Sequence, residues 1–202
     1  RREFGPGARG VTASFASREA IRRQAEAEPD PGLAHLALPR AGARGSADWW
    51  RWQLRKLVRP IVETRYRRLG PFLAGAHLAM EIGGDNYSLD YGWPEPFLAL
   101  DRYLARRGVP VVLWGASVGP FDAAPPRARR TMFRHLAGLR AIFVRESASL
   151  DYLRGQGLAN VFAMADPAFA MPAREPARER LGFALPPEPI GLNLSPLLAR
   201  FA

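Results

Sequence analysis

The sequence contains no cysteine among its 202 residues, and it has no long apolar run. The missing cysteine excludes disulfide bonds and thiolate metal ligands, and it fits a reducing compartment such as the cytoplasm. Because no stretch reaches about 18 consecutive apolar residues, we expect no membrane-spanning segment. Lysine is almost absent as well, since Lys56 is the only lysine among 29 basic residues, a bias typical of GC-rich coding sequences.

Several motifs that indicate particular chemistries are also missing. The three histidines, at positions 35, 77 and 135, follow neither an HxH nor an HExxH pattern, so the sequence predicts no protein-built metal site. The GxSxG elbow of many hydrolases and the GxxxxGK[ST] loop of P-loop enzymes do not occur. Zinc-finger spacing and an RNP pattern are absent too, which argues against nucleic-acid binding despite the net charge of +10.

The positive charge is concentrated in the first third of the chain. Residues 1–70 carry 15 basic against 7 acidic side chains, whereas residues 71–202 carry 14 against 12. Much of the excess lies in a predicted basic amphipathic helix over 49–69, which Pro60 should kink or split. Such a helix can pack its apolar stripe on a sheet or lie on an anionic membrane surface, and the interruption at Pro60 favours packing.

An apolar content of 48% suffices for a hydrophobic core. From residue 76 onward, apolar runs alternate regularly with segments of helical composition. The apolar runs predict strands, and the segments of helical composition predict helices. Ser14 or Ser17 should cap the first predicted helix. The predicted strands cover 33–38, 76–83, 109–115, 141–144 and 161–165, and the predicted helices 14–28, 94–107, 125–138, 147–155 and 174–181. This alternation predicts an α/β fold with a doubly wound, mostly parallel, Rossmann-like sheet.

The proline-rich segment 186–189 is the best domain boundary in the chain. We therefore expect a Rossmann-like domain over 1–188 and the start of a second, truncated domain over 189–202. Because the chain begins with arginine and stops just after an apolar run, the sequence reads as a fragment whose first strand is missing.

Two predicted strands run into loops of glycine and small polar residues. The strand at 76–83 leads into Gly83-Gly84-Asp85-Asn86-Tyr87-Ser88, and the strand at 109–115 leads into Gly115-Ala116-Ser117-Val118-Gly119-Pro120. Because parallel strands end at one edge of a sheet, these loops should meet there and form a binding site. Glycine lets the backbone approach a ligand closely, and the polar side chains beside it supply hydrogen bonds.

Asp85, Asn86, Ser88 and Asp90 form a polar cluster in the first loop. Their carboxylates, amide and hydroxyl are suited to hold sugar hydroxyls or to remove a proton from one. The same residues can instead cap the following helix and face solvent, and both interpretations stay open. For Ser117 in the second loop, tight packing of a small residue is favoured over a binding role.

Arg145 directly follows the predicted strand at 141–144, so its guanidinium should lie near the same edge of the sheet. A planar fork of N–H donors at this place suits a carboxylate or a phosphate. Alternatively, Arg145 forms a salt bridge to Asp166 or Glu146 while Ser147 caps the next helix. The residue types favour neither interpretation over the other.

Taken together, four blocks of the sequence resemble the ordered motifs of the polysaccharide pyruvyl transferase family. They are the first loop with Asp90-Tyr91-Gly92, the segment 115–121, the segment Val144-Arg145-Glu146-Ser147 with Ser149, and Asp166-Pro167-Ala168-Phe169. The resemblance extends over about 76–196, and it is loose over 1–70.

The resemblance implies one half of a two-domain architecture like that of the B-type glycosyltransferases. It also implies transfer of a pyruvyl group from phosphoenolpyruvate, a co-substrate rather than a bound cofactor, to two hydroxyls of a bacterial surface or exopolysaccharide glycan. By similarity, Arg145 binds the donor with Ser117, and Asp85 orients or deprotonates the acceptor hydroxyl. The residues expected to face the acceptor are Gly84, Asn86, Ser88 and Asp90. The family's second half carries an arginine–histidine region that completes the donor site, so the chain as given should be catalytically incomplete.

Two alternatives remain beside this hypothesis: a glycosyltransferase of the same shape that uses a nucleotide sugar, and a non-catalytic glycan-binding module. Under the preferred hypothesis the acceptor is a glycan or a lipid-linked glycan. We then expect the protein in the cytoplasm, with peripheral association at the inner face of the membrane left open, and we expect no nucleic-acid partner. The sequence does not indicate the oligomeric state.

Overall fold

The computed structural model describes two stretches of the N-terminal region, the central part of the chain and a few isolated residues. These are residues 9–27, 29–38, 50, 66–171, 184, 188 and 190, with the backbone alone described at Tyr91. The predicted helices over 49–69 (apart from its last residues) and 174–181, and the boundary near 186–189, lie outside these residues. Two compact units are distinguished, Arg1–Asp166 and Pro167–Ala202. Of the second unit, the described part is a short 3₁₀ turn, Pro167–Ala170, with Met171 and three isolated residues.

The first unit begins with a β-α-β segment. Strand β1 (Gly10–Ser14) pairs in parallel with β2 (Leu33–Ala37), from Gly10 opposite Leu33 to Ser14 opposite Ala37. Helix α1 (Arg18–Ala27) connects them and starts where the sequence predicts a cap, because the Ser17 hydroxyl accepts a 3.1 Å hydrogen bond from the backbone N–H of Ala20. Strand β2 confirms the predicted strand at 33–38, whereas β1 was not predicted and α1 begins four residues later than the predicted helix 14–28.

The larger sheet has four parallel strands in the order β3-β4-β5-β6. The observed elements of this sheet and its helices agree with the predicted ones within two residues, with two exceptions. The first strand is much shorter than 76–83, and a short helix, Gly70–Leu73, was not predicted. In chain order the elements are α2 (Gly70–Leu73), β3 (Ala79–Glu81), α3 (Glu95–Ala105), β4 (Val111–Ala116), α4 (Pro126–Ala137), β5 (Ala141–Val144), α5 (Ser147–Gly155) and β6 (Val161–Ala163). The all-parallel sheet with intervening helices confirms the predicted α/β class and is consistent with a doubly wound Rossmann-like fold.

The two faces of this sheet differ. On one face Leu113, Ile142 and Val161 lie side by side in register and are buried in the core with side chains of the connecting helices. Because side chains alternate along a strand, the residues one position further along face the other way. There the rings of Trp114, Phe143 and Phe162 form a row, with centroids 5.0 and 5.4 Å apart.

The loops after β3 and β4 are joined through their backbones. The Ser117 N–H donates to the Gly84 carbonyl at 2.7 Å, and the Gly119 N–H donates to the Tyr87 carbonyl at 3.0 Å. Tyr87 and Val118 thereby form a parallel bridge beyond the ends of the strands. Gly119 has a φ of 79°, and a Cβ added there would lie 2.6 Å from the Tyr152 ring, so this position requires glycine. The two loops therefore form one continuous platform at the edge of the sheet.

No helix in the part of the chain that the structure describes is long and apolar enough to cross a membrane.

Candidate functional site

Arg145 brings together the loops that follow all four strands of the larger sheet. It comes directly after β5, and its backbone N–H donates to the Ala116 carbonyl at the end of β4 at 3.3 Å. Its guanidinium makes a separate hydrogen bond to a side chain of each remaining loop. These are Nε to Ser117 Oγ at 3.1 Å, Nη2 to Asp85 Oδ1 at 3.0 Å and Nη1 to Asp166 Oδ2 at 3.1 Å. The predicted convergence of these loops at one edge of the sheet is thus observed.

Gly84 allows this approach because it has no side chain. A Cβ added at Gly84 would lie 3.0 Å from Nη1 and 3.2 Å from Nη2 of Arg145, closer than ordinary van der Waals contact. The guanidinium therefore rests against the backbone of the loop after β3. The sequence predicts that glycine in this loop allows close approach to a ligand, and the observed close contact is with the guanidinium of Arg145.

The charges at Arg145 do not cancel. One guanidinium faces the two carboxylates of Asp85 and Asp166, and the three side chains are 29%, 40% and 33% exposed, respectively. The salt bridge to Asp166 was one of the two alternatives left open for Arg145, and it is observed, whereas Glu146 bonds elsewhere. A guanidinium has five N–H donors, so two are left over after the three hydrogen bonds to described side chains, and these two can bind a ligand.

The helix after β5 fixes the second loop. Ser149 Oγ accepts a 2.9 Å hydrogen bond from the Val118 N–H and donates to Glu146 Oε1 at 2.7 Å. Glu146 is the N-cap residue of α5 without a side-chain capping bond, and Ser147 is the first helical residue. The expectation that Ser147 caps this helix is therefore wrong. Glu146 is instead held through Ser149, so the helix start and the Ser117 loop are tied together.

Ser88 and Asp90 bond mainly to each other. Ser88 Oγ donates to Asp90 Oδ2 at 2.6 Å and accepts from the Asp90 N–H at 3.1 Å, which caps the 3₁₀ turn Leu89–Tyr91. For Ser88, the capping alternative left open by the sequence is the one observed. The Asn86 amide makes no hydrogen bond to any described residue, and it packs where a side chain at Gly83 would otherwise lie.

A cleft of about 480 Å³ opens beside this loop. Three members of the polar cluster line it, together with residues at and before the start of α3, whereas Asp90 and Gly84 do not. The lining residues are Asp85, Asn86, Ser88, Gly92, Trp93, Pro94, Pro96 and Phe97. Asp85 thus lines the cleft and also bonds to Arg145. No group of three or more His, Asp or Glu side chains among the described residues could hold a metal ion.

A buried polar network lies behind the loop, and none of the sequence motifs described above includes it. The fully buried Tyr87 hydroxyl donates to Asp101 Oδ2 and lies 3.1 Å from His135 Nε2, which is itself 2.9 Å from the same carboxylate oxygen. Glu81 at the end of β3 is buried nearby, and neither of its carboxyl oxygens has a hydrogen-bond partner among the described residues. Carboxyl groups from β3 and α3 therefore lie in a site with little water.

This burial perturbs the acid–base behaviour of the network. Burial raises the pKa of the Glu81 carboxyl well above its ordinary value, and the negative charge of Asp101 raises it further. Burial likewise raises the pKa of the Tyr87 hydroxyl, with contributions from the charges of Glu81 and Asp101. The environment therefore favours the neutral form of both groups, and the Tyr87 hydroxyl donates to Asp101.

One signal in the sequence pointed to this network. Glu81 stands between Met80 and Ile82 in an apolar strand, and Asp101 stands among the apolar residues of a helix that faces the core. An acidic residue at the position that alternation or helical spacing turns inward requires a partner. That criterion selects Asp101, which lies at helical spacing from the buried Leu98 and Leu104. It does not select Glu81, because alternation along the strand would turn the apolar Met80 and Ile82 inward instead.

Comparison with protein families identifies the chain. The search of curated proteins and the search of solved structures found no significant match. A family model described as polysaccharide pyruvyl transferase matches residues 72–197, which is more than half of the chain and includes all four loops at Arg145. The chain therefore belongs to the polysaccharide pyruvyl transferase family, and it is a transferase of the kind that acts on glycans.

Proposed function

We propose that this protein transfers the pyruvyl group of phosphoenolpyruvate to two hydroxyls of one sugar in a bacterial surface or exopolysaccharide glycan, with formation of a pyruvate ketal. The observation that carries the proposal is Arg145, a cation with unused donors at the edge of the sheet in a chain of this family. The acceptor is a free or lipid-linked glycan, and we place the reaction in the cytoplasm or at the inner face of the membrane.

The chemistry requires protons to move in two places. C3 of the donor gains a proton and becomes a methyl group, while C2 becomes an oxocarbenium-like centre. One sugar hydroxyl forms a C–O bond to C2 and loses its proton, and the C2–O bond to phosphate breaks. The second hydroxyl then adds to C2 and gives up its proton, so that one proton ends on C3 and the other on the released phosphate. The site must therefore provide a base near a hydroxyl and cations near the donor.

Arg145 is assigned to the donor. Its two unused N–H groups can hold the carboxylate or the phosphate, and Ser117 Oγ keeps the plane of the guanidinium in place through Nε. Because Asp85 and Asp166 already outweigh its single charge, a donor with several negative charges needs further cations. We assign these to the arginine–histidine region of the family's second half, which the resemblance implies.

Asp85 is assigned to the acceptor hydroxyl. Its Oδ1 is bonded to Arg145, and its side chain also lines the cleft, so it stands between the proposed donor and acceptor positions. A carboxylate in this place can orient a hydroxyl or accept its proton. Asn86 and Ser88 line the acceptor side, and the Asn86 amide is not hydrogen-bonded to any described residue. Gly84 contributes by its contact with Arg145, and Asp90 by its hydrogen bonds to Ser88.

The first test compares Arg145→Ala and Arg145→Lys with wild type in the full-length protein. We expect the dissociation constant for phosphoenolpyruvate, measured by calorimetry, to rise roughly 10- to 100-fold in the alanine variant. The lysine variant should recover only part of this affinity, because an ammonium lacks the planar fork. Arg129→Ala is the matched control, since Arg129 pairs with Asp122 on the surface at 3.4 Å. Unchanged donor affinity in Arg145→Ala would contradict the assignment.

A second measurement tests the reaction class. Acceptor-dependent phosphate release from phosphoenolpyruvate by the wild-type protein supports pyruvyl transfer. Turnover with a nucleotide sugar, and none with phosphoenolpyruvate, would instead indicate a glycosyltransferase. Glycan binding without turnover of either donor would indicate a binding module.

A further inference from the structure

We propose that the cleft beside Asp85 is the acceptor subsite, in which one face of a neutral sugar ring stacks on Trp93 while a hydroxyl bonds to Asn86. This inference rests on the proposed function, because it names the place and the recognition chemistry of the acceptor. It adds Trp93 to the site, a residue that the sequence motifs do not single out.

Of the two aromatic side chains that line the cleft, Trp93 is the one that does not pack against another described ring. It is 37% exposed, and its indole makes no ring contact or hydrogen bond with any described residue. Phe97, by contrast, packs edge-on against Phe15 with the ring centroids 5.5 Å apart and also contacts the Tyr87 ring. The cleft therefore has a fixed apolar base and one free indole, which offers both a flat face and an N–H donor.

The backbone on both sides holds Trp93 in place. Gly92 has a φ of 87°, and its N–H donates to the Leu89 carbonyl at 2.9 Å, which closes the preceding turn. The Trp93 carbonyl accepts from the Glu95 N–H at 2.9 Å, at the point where α3 begins after Pro94. Because the backbone is ordered in this way, a ligand that stacks on Trp93 has only the indole side chain left to immobilise.

The polar groups of the cleft select a hydroxyl-bearing ligand. Asn86 is uncommitted and offers both a donor and an acceptor, whereas the Ser88 hydroxyl is engaged by Asp90. The volume of about 480 Å³ lies within the usual range for small-molecule sites. None of the described lining residues is basic, and Asp85 adds a negative charge. A nucleotide could also stack its flat base on Trp93, but its phosphates would be repelled by Asp85. A neutral sugar is therefore the favoured ligand.

The position of the cleft agrees with the chemistry. Asp85 is shared between the cleft and Arg145, so a sugar on Trp93 would present its hydroxyls next to the proposed donor. Binding and reaction then need no large movement of the loop. The arrangement gives Asp85 the reacting hydroxyl and leaves Trp93 and Asn86 to determine which sugar binds.

The test uses full-length protein and a panel of methyl glycosides of common hexoses and N-acetylhexosamines. Saturation-transfer NMR should show the strongest transfer to the C–H protons on one face of the sugar that binds. In Trp93→Ala this signal should be lost and the acceptor KM in the phosphate-release assay should rise about tenfold, with phosphoenolpyruvate affinity unchanged. Trp93→Phe should retain much of the binding, and Asn86→Ala should weaken it.

The matched control is Phe72→Ala, which removes another exposed aromatic side chain, 40% exposed, from a position outside the cleft. Three results would overturn the inference: no transfer to any sugar in wild type, an acceptor KM in Trp93→Ala and Trp93→Phe equal to that of wild type, or equal losses of sugar and donor affinity. Loss of nucleotide binding rather than sugar binding in Trp93→Ala would also overturn it. Failure of the proposed function looks different, because Arg145→Ala would then leave donor affinity unchanged whatever Trp93 does.

Discussion

The Tyr87 hydroxyl donates a hydrogen bond to the Asp101 carboxylate, and this bond joins the loop after β3 to the middle of α3. Tyr87 is fully buried, and its backbone carbonyl also receives the Gly119 N–H from the neighbouring loop. One residue therefore anchors the candidate site to the core and links the two loops that form it. The polar network around Tyr87 is a structural support of the site, and its removal should be measurable as a loss of stability.

Tyr87→Phe should destabilise the fold. The substitution keeps the ring but leaves Asp101, whose Oδ1 already lacks a partner among the described residues, with one hydrogen bond fewer in a buried place. We expect a decrease of about 1–3 kcal/mol in the free energy of unfolding, measured with urea. Tyr152→Phe is the comparison, since its hydroxyl accepts from the Phe121 N–H in a more exposed place and should cost less. An equal decrease in the free energy of unfolding in Tyr87→Phe and Tyr152→Phe would show that burial of the hydrogen bond does not determine its contribution to stability.

Glu81→Gln should change how stability depends on pH. The pKa of Glu81 is raised in the folded state, so its protonated form favours folding. This contribution is complete below the unfolded-state value of about 4.5 and is lost as the pH rises through the higher folded-state pKa. Wild type should thus lose stability over that range, while Glu81→Gln shows a flatter profile and is the more stable protein at high pH.

Thermal unfolding between about pH 4 and pH 9 measures this difference. Glu95→Gln serves as the control because Glu95 is exposed and contacts Arg102 only at 3.6 Å. Parallel profiles for wild type and Glu81→Gln would show that the buried carboxyl does not govern the pH dependence.

Gly84→Ala should impair donor binding without unfolding the protein. The added methyl group would lie 3.0 Å from Arg145 Nη1, so the guanidinium must move away from the loop. We expect affinity for phosphoenolpyruvate to fall roughly tenfold, as measured by calorimetry. Gly155→Ala, where an added Cβ meets nothing within 4 Å, should leave donor affinity at the wild-type value. Wild-type affinity in Gly84→Ala would mean that the position of the guanidinium does not matter.

Asp85→Asn should separate binding from turnover. The substitution removes a negative charge next to Arg145, so the affinity for phosphoenolpyruvate should not decrease. An amide cannot accept the hydroxyl proton, and kcat should fall at least about 100-fold. Steady-state phosphate release together with donor titration distinguishes the two effects. A loss of donor affinity at constant kcat would assign Asp85 to the donor instead.

The sequence predicts the framework of the site well, for a simple physical reason. Strand and helix periodicity locate β4, α4, β5 and α5, and a parallel sheet places the residues after its strands at one edge. Arg145 and Asp85, 60 positions apart, are therefore expected near each other from the sequence alone. Their actual pairing is more specific than this, because it depends on Gly84 leaving room for the guanidinium.

The remainder depends on packing between elements, which local patterns do not contain. His135 looks isolated in the sequence, and it reaches Asp101 only because α3 and α4 carry them to the same buried place. The sequence allows Ser88 either to cap a helix or to bind a ligand. The geometry of the following 3₁₀ turn makes it a cap. The shortness of β3 has a related cause, since the chain leaves the sheet early to form the loop that meets Ser117.

The two carboxylates that hold Arg145 also have a kinetic consequence. A free anion that binds the unused N–H groups of the guanidinium is repelled by Asp85 and Asp166, whose two negative charges outweigh the single positive charge of Arg145. Sulfate or inorganic phosphate, which would offer little beyond charge, should be poor inhibitors, and a phosphate product should leave quickly. Only a donor that contacts several groups of the site at once should bind tightly. Its association rate constant should depend only weakly on salt concentration.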